Sequence, residues 1–179
     1  MWRDKAKWWF ATGEMIGGAA TGLIAVALGS LLRPFIPAPG RWAAVFALLV
    51  LVAGHEFGLY RLPLPQNRRQ VPQTVIFAGG RVGALQFGFE MGTGLRTFMT
   101  SGLPHVAVLA AALVAPWWAA ILIGAGFGIG RAVMPMLRMA WRPPSGWDDR
   151  FLDRRQWISV ALLTTALLAL VGAATRSLG

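Results

Sequence analysis

The chain has 179 residues, of which 56% are hydrophobic and 13% charged, with a mean hydropathy of +0.56. A water-soluble domain carries roughly 25% charged residues, so this composition excludes that class and selects an all-α, multi-pass membrane bundle in one domain, residues 1–179. There is no cysteine, which excludes disulfides, thiolate metal sites and thiol–disulfide relays within these residues.

In chain order, MWRDKAKWWF is a basic, aromatic lead. The apolar stretch behind it is too long for a signal peptide and has no small-residue cleavage site, so it reads as a retained helix. The first span covers about 13–32, and RPFIPAPGR, with three prolines, reads as a turn outside the membrane. The second span covers about 42–60, and RLPLPQNRRQVPQ is a polar, basic loop. Residues 82–115 read as one long span interrupted near Gly102–Pro104, followed by a fourth span over 117–137. The segment RMAWRPPSGWDDRFLDRRQ reads as a charged loop, and the last span covers 157–174. That makes five spans. Splitting 82–115 at its break makes six.

Basic residues arbitrate between the two. With five spans and the N-terminus inside, thirteen of the seventeen Lys and Arg fall on the inner side, including Arg61, Arg68, Arg69 and Arg81 before the third span and Arg138, Arg150, Arg154 and Arg155 before the last. Arg33, Arg41 and Arg176 fall outside, and Arg96 is left within the membrane. This is the asymmetry of the positive-inside rule, and six spans would break it. The expected location is the inner (plasma) membrane, N-terminus cytoplasmic. The net charge of +10 then reads as basic loops against anionic lipid, not as a nucleic-acid surface.

Small residues recur four apart at Gly13/Gly17, Gly18/Gly22, Gly88/Gly92, Gly124/Gly128 and Gly126/Gly130. Such stripes let helix backbones approach closely. They predict tight packing of the first, third and fourth spans, within one chain or between copies in a homo-oligomer.

Ionisable residues at membrane depth are costly and mark cavities or partners. Glu14, His55, Glu56 and Glu90 fall on the inner side, with Glu14, Glu56 and Glu90 expected to cluster at similar depth. Arg96 lies nearer the middle, and Ser101 and His105 stand at the break. The candidate substrate-binding set is therefore Glu90, Arg96, Ser101 and His105, with His55 and Glu56 on the inner side. Two histidines suggest haem ligation, but His55 is expected toward the inner side and His105 toward the outer third. No cofactor or metal is expected, and no catalytic signature stands out.

The stretch GLRTFMTSGLPHVAVL, residues 94–109, resembles the broken helix of the CcdA/DsbD-type membrane proteins, in which a glycine- and Phe-bearing lead runs into Ser/Thr-Pro-Cys and an apolar half-helix. The resemblance covers about 25 residues. It implies a helix interrupted in mid-membrane beside a water-accessible cavity. His105 stands where the redox cysteine would be, so electron relay does not carry over. Residue by residue, Pro104 removes a backbone hydrogen bond, and the Thr100 and Ser101 hydroxyls can serve the freed groups.

Two functions remain open. One is a small carrier or carrier-like subunit in which Glu and His move protons with a solute. The other is a non-catalytic scaffold that docks a soluble or membrane partner through the 138–156 loop. A membrane enzyme is a third option that nothing selects. A reporter fused within 143–155 should give a cytoplasmic signal, and a periplasmic signal would sink the five-span arrangement.

Overall fold

The computed structural model describes residues 6–65, 80–94, 99, 101–141 and 144–179. Among these the chain is all helix: α1 (Ala6–Leu32), a 3-10 turn (Arg33–Phe35), α2 (Ala38–Glu56), α3 (Gly80–Gly92), α4 (Leu103–Leu113), α5 (Trp117–Ala140) and α6 (Pro144–Leu178). Four of them, α1, α2, α5 and α6, are long and apolar enough to cross a membrane, while α4 is a shorter apolar helix.

α1 is the centre of the bundle. A Cβ on Gly13 or Gly17 would overlap the carbonyls of Leu85 or Phe89 in α3, and one on Gly88 or Gly92 would overlap Phe10 or Glu14 in α1. The contact is reciprocal, and residue numbers rise together, so α1 and α3 run parallel. A second stripe faces α5. Gly18 and Gly22 meet the carbonyls of Gly124 and Ala120, while Gly124 and Gly128 meet those of Gly18 and Glu14. Here the numbers run oppositely, so the pair is antiparallel. In a medium as apolar as the side chains, such close van der Waals approach replaces hydrophobic burial as the force between helices. The expected packing of three glycine-striped helices is thus found within one chain. Gly126 and Gly130 are the exception: they face open space and take no part.

The remaining helices add apolar layers. Phe10, Ala84 and Ala132 close one end of the α1–α3–α5 group, and Ala25, Val26, Ala111, Ala115 and Ala120 join α1, α4 and α5 toward the other. Val45, Leu49 and Val52 of α2 pack on Val106 and Ala110 of α4 and Leu163 of α6.

Three readings change. First, residues 82–115, expected as one span interrupted near Gly102–Pro104, hold two separate helices among the described residues. α3 ends at Gly92, and Gly94 adopts φ +67°, a left-handed conformation that stops a helix and that glycine adopts without cost. Pro104 lies in the first turn of α4, where its missing N–H is needed by nothing. Second, most of the charged segment expected as a loop is helical among the described residues: its first residues end α5 at Ala140, and α6 begins at Pro144. Proline presets the first turn, and no glycine or proline interrupts 147–171, so the charged residues continue the helix that the apolar ones form. Third, α2 starts at Ala38 and ends at Glu56, shifted toward the N-terminus from 42–60. Its end is a Schellman cap: Leu59 N donates to Gly54 O at 2.9 Å and Gly58 N to His55 O at 3.0 Å, with Gly58 at φ +76°.

Gly18→Leu should lower the unfolding midpoint in detergent, at a cost of about 1–3 kcal/mol for overpacking against backbone. Gly126→Ala should leave it unchanged or raise it, because nothing faces that position and alanine favours the helix by about 1 kcal/mol. Equal effects of the two would refute the division of glycines made here.

Candidate functional site

Four of the six candidate residues converge where α2 ends and α4 begins. The Gly102 N–H donates to Glu56 Oε1 at 2.8 Å, and the Leu103 N–H to Ser101 Oγ at 3.2 Å. These two side chains satisfy donors that the start of any helix leaves open. The segment 60–65 lies across this elbow. Leu62 N donates to His55 Nδ1 at 3.2 Å, with the Tyr60 carbonyl 3.1 Å from the same nitrogen. His105 Nε2 meets Pro65 O at 3.0 Å. The Tyr60 hydroxyl reaches back to Leu51 O at 2.7 Å. A Cβ on Gly102 would stand 2.9 Å from Leu64 Cδ1 and 3.0 Å from Val52, so a larger residue there requires those side chains to shift. Both histidines thus bond to main-chain atoms of one six-residue strap.

Glu90 lies elsewhere, in α3, with Gln86 Nε2 3.5 Å from its Oε1 and its own carbonyl accepting from Thr93 Oγ1 at 2.8 Å. Arg96 and Thr100 lie outside the described residues. The acidic cluster of Glu14, Glu56 and Glu90 is not assembled. Glu56 is spent on Gly102, Glu14 faces α3 and α5, and no group of three His, Asp or Glu that could hold a metal occurs among the described residues.

The residue that sequence reasoning left out of the site is Glu14. It is 1% exposed, and neither carboxylate oxygen has a hydrogen-bond partner among the described residues. It sits where α1, α3 and α5 meet, its backbone packed on Gly92 and Gly128, and Arg131 of α5 acts on it as an opposing charge. Thr21 Oγ1, two turns on, donates to Thr93 O at 3.0 Å and ties α1 to the end of α3. Spacing carried the signal: Glu14, Gly18 and Gly22 are four apart, so the carboxylate belongs to the stripe that packs on α5.

Arg33 and Arg41 were also missed. Arg33 donates from Nε to Ala112 O at 2.8 Å and from Nη2 to Ala111 O at 3.0 Å and Ala115 O at 2.7 Å. Arg41 Nη1 donates to Leu113 O at 3.3 Å. Both cap the C-terminal carbonyls of α4. Two surface grooves among the described residues have volumes of about 240 Å³ each. One is lined by Gly13, Ile16, Val82, Leu85, Gln86 and Phe89, the other by side chains of α2 and α6. Neither includes a candidate residue.

Comparison with known proteins gives relatives over nearly the whole chain. It is 32% identical over 172 residues to the methylamine utilization protein MauF of Methylorubrum extorquens, covering 92% of this chain and 56% of the relative. The MauF proteins of Paracoccus denitrificans (32%, with 92% and 61% covered) and Methylobacillus flagellatus (25%, with 90% and 59% covered) are similar to it in the same way. The chain therefore spans little more than half the length of these relatives. No family model matches it, and no solved structure matches it significantly. These findings overturn the resemblance to CcdA/DsbD-type proteins, which rested on about 25 residues around a proline that begins a helix where that family's broken helix was expected.

Glu56→Ala should destabilise the protein by about 2 kcal/mol, the worth of a hydrogen bond to a charged group. Glu56→Gln, which keeps an acceptor oxygen, should lose about half of that. Denaturant unfolding in detergent measures both, and an unchanged Glu56→Ala would remove the capping role.

Proposed function

We propose that the chain is a membrane component of a methylamine utilisation system that works by docking a partner protein, not by carrying a solute. Its likeness to MauF proteins over about nine-tenths of its length supports the system. The preference for docking rests on how the polar side chains are used. Glu56, Ser101, Arg33 and Arg41 are bonded to main-chain atoms at the ends of α4, and His55 and His105 to main-chain atoms of the strap at 60–65, which favours scaffolding over a cavity lined for a solute.

In this reading α3 and α4 act together as one interrupted crossing. α3 lies along α1 at the level of residues 10–17, and α4 lies along it near Gly29, whose Cβ would meet Ala112. Five crossings then leave the N-terminus cytoplasmic and the C-terminus outside, in agreement with the basic residues.

The docking element is α6. At 1.5 Å per residue, its 35 residues measure about 52 Å, against about 30 Å of hydrocarbon. The first dozen or so therefore project on the inner side. The projection is held rigid: Arg138 pairs with Asp148 through two bonds at 2.9 and 2.7 Å, Arg150 lies 4.9 Å from the Trp141 ring, and Trp141 packs on Trp147 at 5.9 Å. Asp149, Leu152, Asp153, Arg154 and Arg155 face outward along it. Only 6% of the apolar window of α6 is buried, against 33% in α1, so the crossing part is also open to a neighbouring membrane helix.

Loss of the gene in a host that uses methylamine should abolish growth on methylamine and spare growth on other substrates. The double variant Asp153→Lys/Arg154→Glu should reproduce that defect at an unchanged membrane level. Uptake of labelled methylamine into vesicles should be the same with and without the chain. Normal growth of the deletion strain overturns the system assignment, and uptake that depends on the chain selects a carrier.

A further inference from the structure

The rim of the bundle opposite the projecting end of α6 carries positive charge with nothing to balance it. No Asp or Glu occurs within 15–55, 91–147 or 154–179, the stretches that supply this rim. Arg33 and Arg41 nevertheless converge there on the same helix end. Arg33 holds the carbonyls of Ala111, Ala112 and Ala115, Arg41 holds that of Leu113, and the two guanidiniums lie close enough to act on each other. The C-terminus of α4 offsets about half a charge. More than one unit is left over. Arg41 Nε is moreover buried without a hydrogen-bond partner.

Around this pair stand large exposed aromatics. Phe35 follows Arg33 by two residues and is 84% exposed, and Trp117 and Trp118 open α5 directly after the capped end of α4, 66% and 54% exposed. Arg176 is brought to the same rim, because Trp42 Nε1 donates to Ser177 Oγ at 2.9 Å. Aromatics of this kind sit at headgroup depth, and arginine is the side chain best matched to phosphate, by charge and by its fork of donors. The carbonyl bonds hold both guanidiniums in place before any ligand arrives, which lowers the entropy cost of binding.

We propose that Arg33 and Arg41 form a binding site for the phosphate of an anionic phospholipid in the leaflet at this rim. The site lies on the face where the positive-inside rule leaves few cations, so it is distinct from the basic inner surface. The aromatic collar selects a lipid phosphate over a dissolved one, since it places the arginines at the depth where headgroups are already concentrated.

Arg41 is the residue to change, because its one bond to α4 is long and the fold keeps Arg33 without it. The protein is reconstituted into phosphatidylcholine nanodiscs with and without phosphatidylglycerol, and co-purifying lipid is counted by native mass spectrometry. The parent and Arg41→Lys should retain phosphatidylglycerol over phosphatidylcholine. Arg41→Gln should lose that preference about fivefold, the worth of one interfacial cation. The proposal is overturned if Arg41→Gln retains phosphatidylglycerol as the parent does. It is equally overturned if the parent shows no preference, or if inorganic phosphate added in detergent raises the unfolding midpoint of the parent but not of Arg41→Gln, which would make the ligand a dissolved anion.

Discussion

Everything in this bundle depends on how closely α1 lies against its neighbours. Glycines on two of its faces let the backbones of α3 and α5 touch it, and glycines on those helices answer from the other side. Lipid provides no hydrophobic gain for bringing helices together, so contact at van der Waals distance is the available source of cohesion. One consequence is directional: α3 is held parallel and α5 antiparallel. Another is chemical. Glu14 lies in the middle of this contact, and the helices that exclude lipid also exclude water from its carboxylate.

The polar side chains have a second shared task. α4 has only eleven residues; it starts inside the bundle and ends at its rim. Each end leaves main-chain donors or acceptors without helical partners. Glu56 and Ser101 supply acceptors at its start, and Arg33 and Arg41 supply donors at its end. His55 and His105 do the same for the strap at 60–65. Each of these side chains is thus bonded to a main-chain group of a short helix or of the strap beside it. α6 is the contrast. It needs no such help, since it is one uninterrupted helix long and apolar enough to cross a membrane, with most of its surface exposed.

Much of this was legible in the chain itself. The glycines four apart identified the helices that pack, and the missing cysteines excluded thiol chemistry. The apolar runs placed α1, α2, α5 and the membrane part of α6 to within a few residues at most ends. Periodicity failed where one residue decides a boundary: Gly94 stops α3 through its backbone conformation, and Pro104 starts a helix it was expected to interrupt. The proline-rich, charged segment after Trp141 looked like a loop because composition was weighed there and continuity with the apolar helix was not.

The sequence alone indicated an all-α chain with apolar runs long enough to cross a membrane, and the glycine stripes, because these follow from local composition and spacing along one element. It could not determine which side chain meets which helix end. Arg33 and Ala112 are seventy-nine positions apart, as the bond between them records, and Glu56 and Gly102 forty-six. Only the tertiary structure brings such pairs together, because the need each pair answers, a main-chain group cut off from water, exists only once the helices have packed.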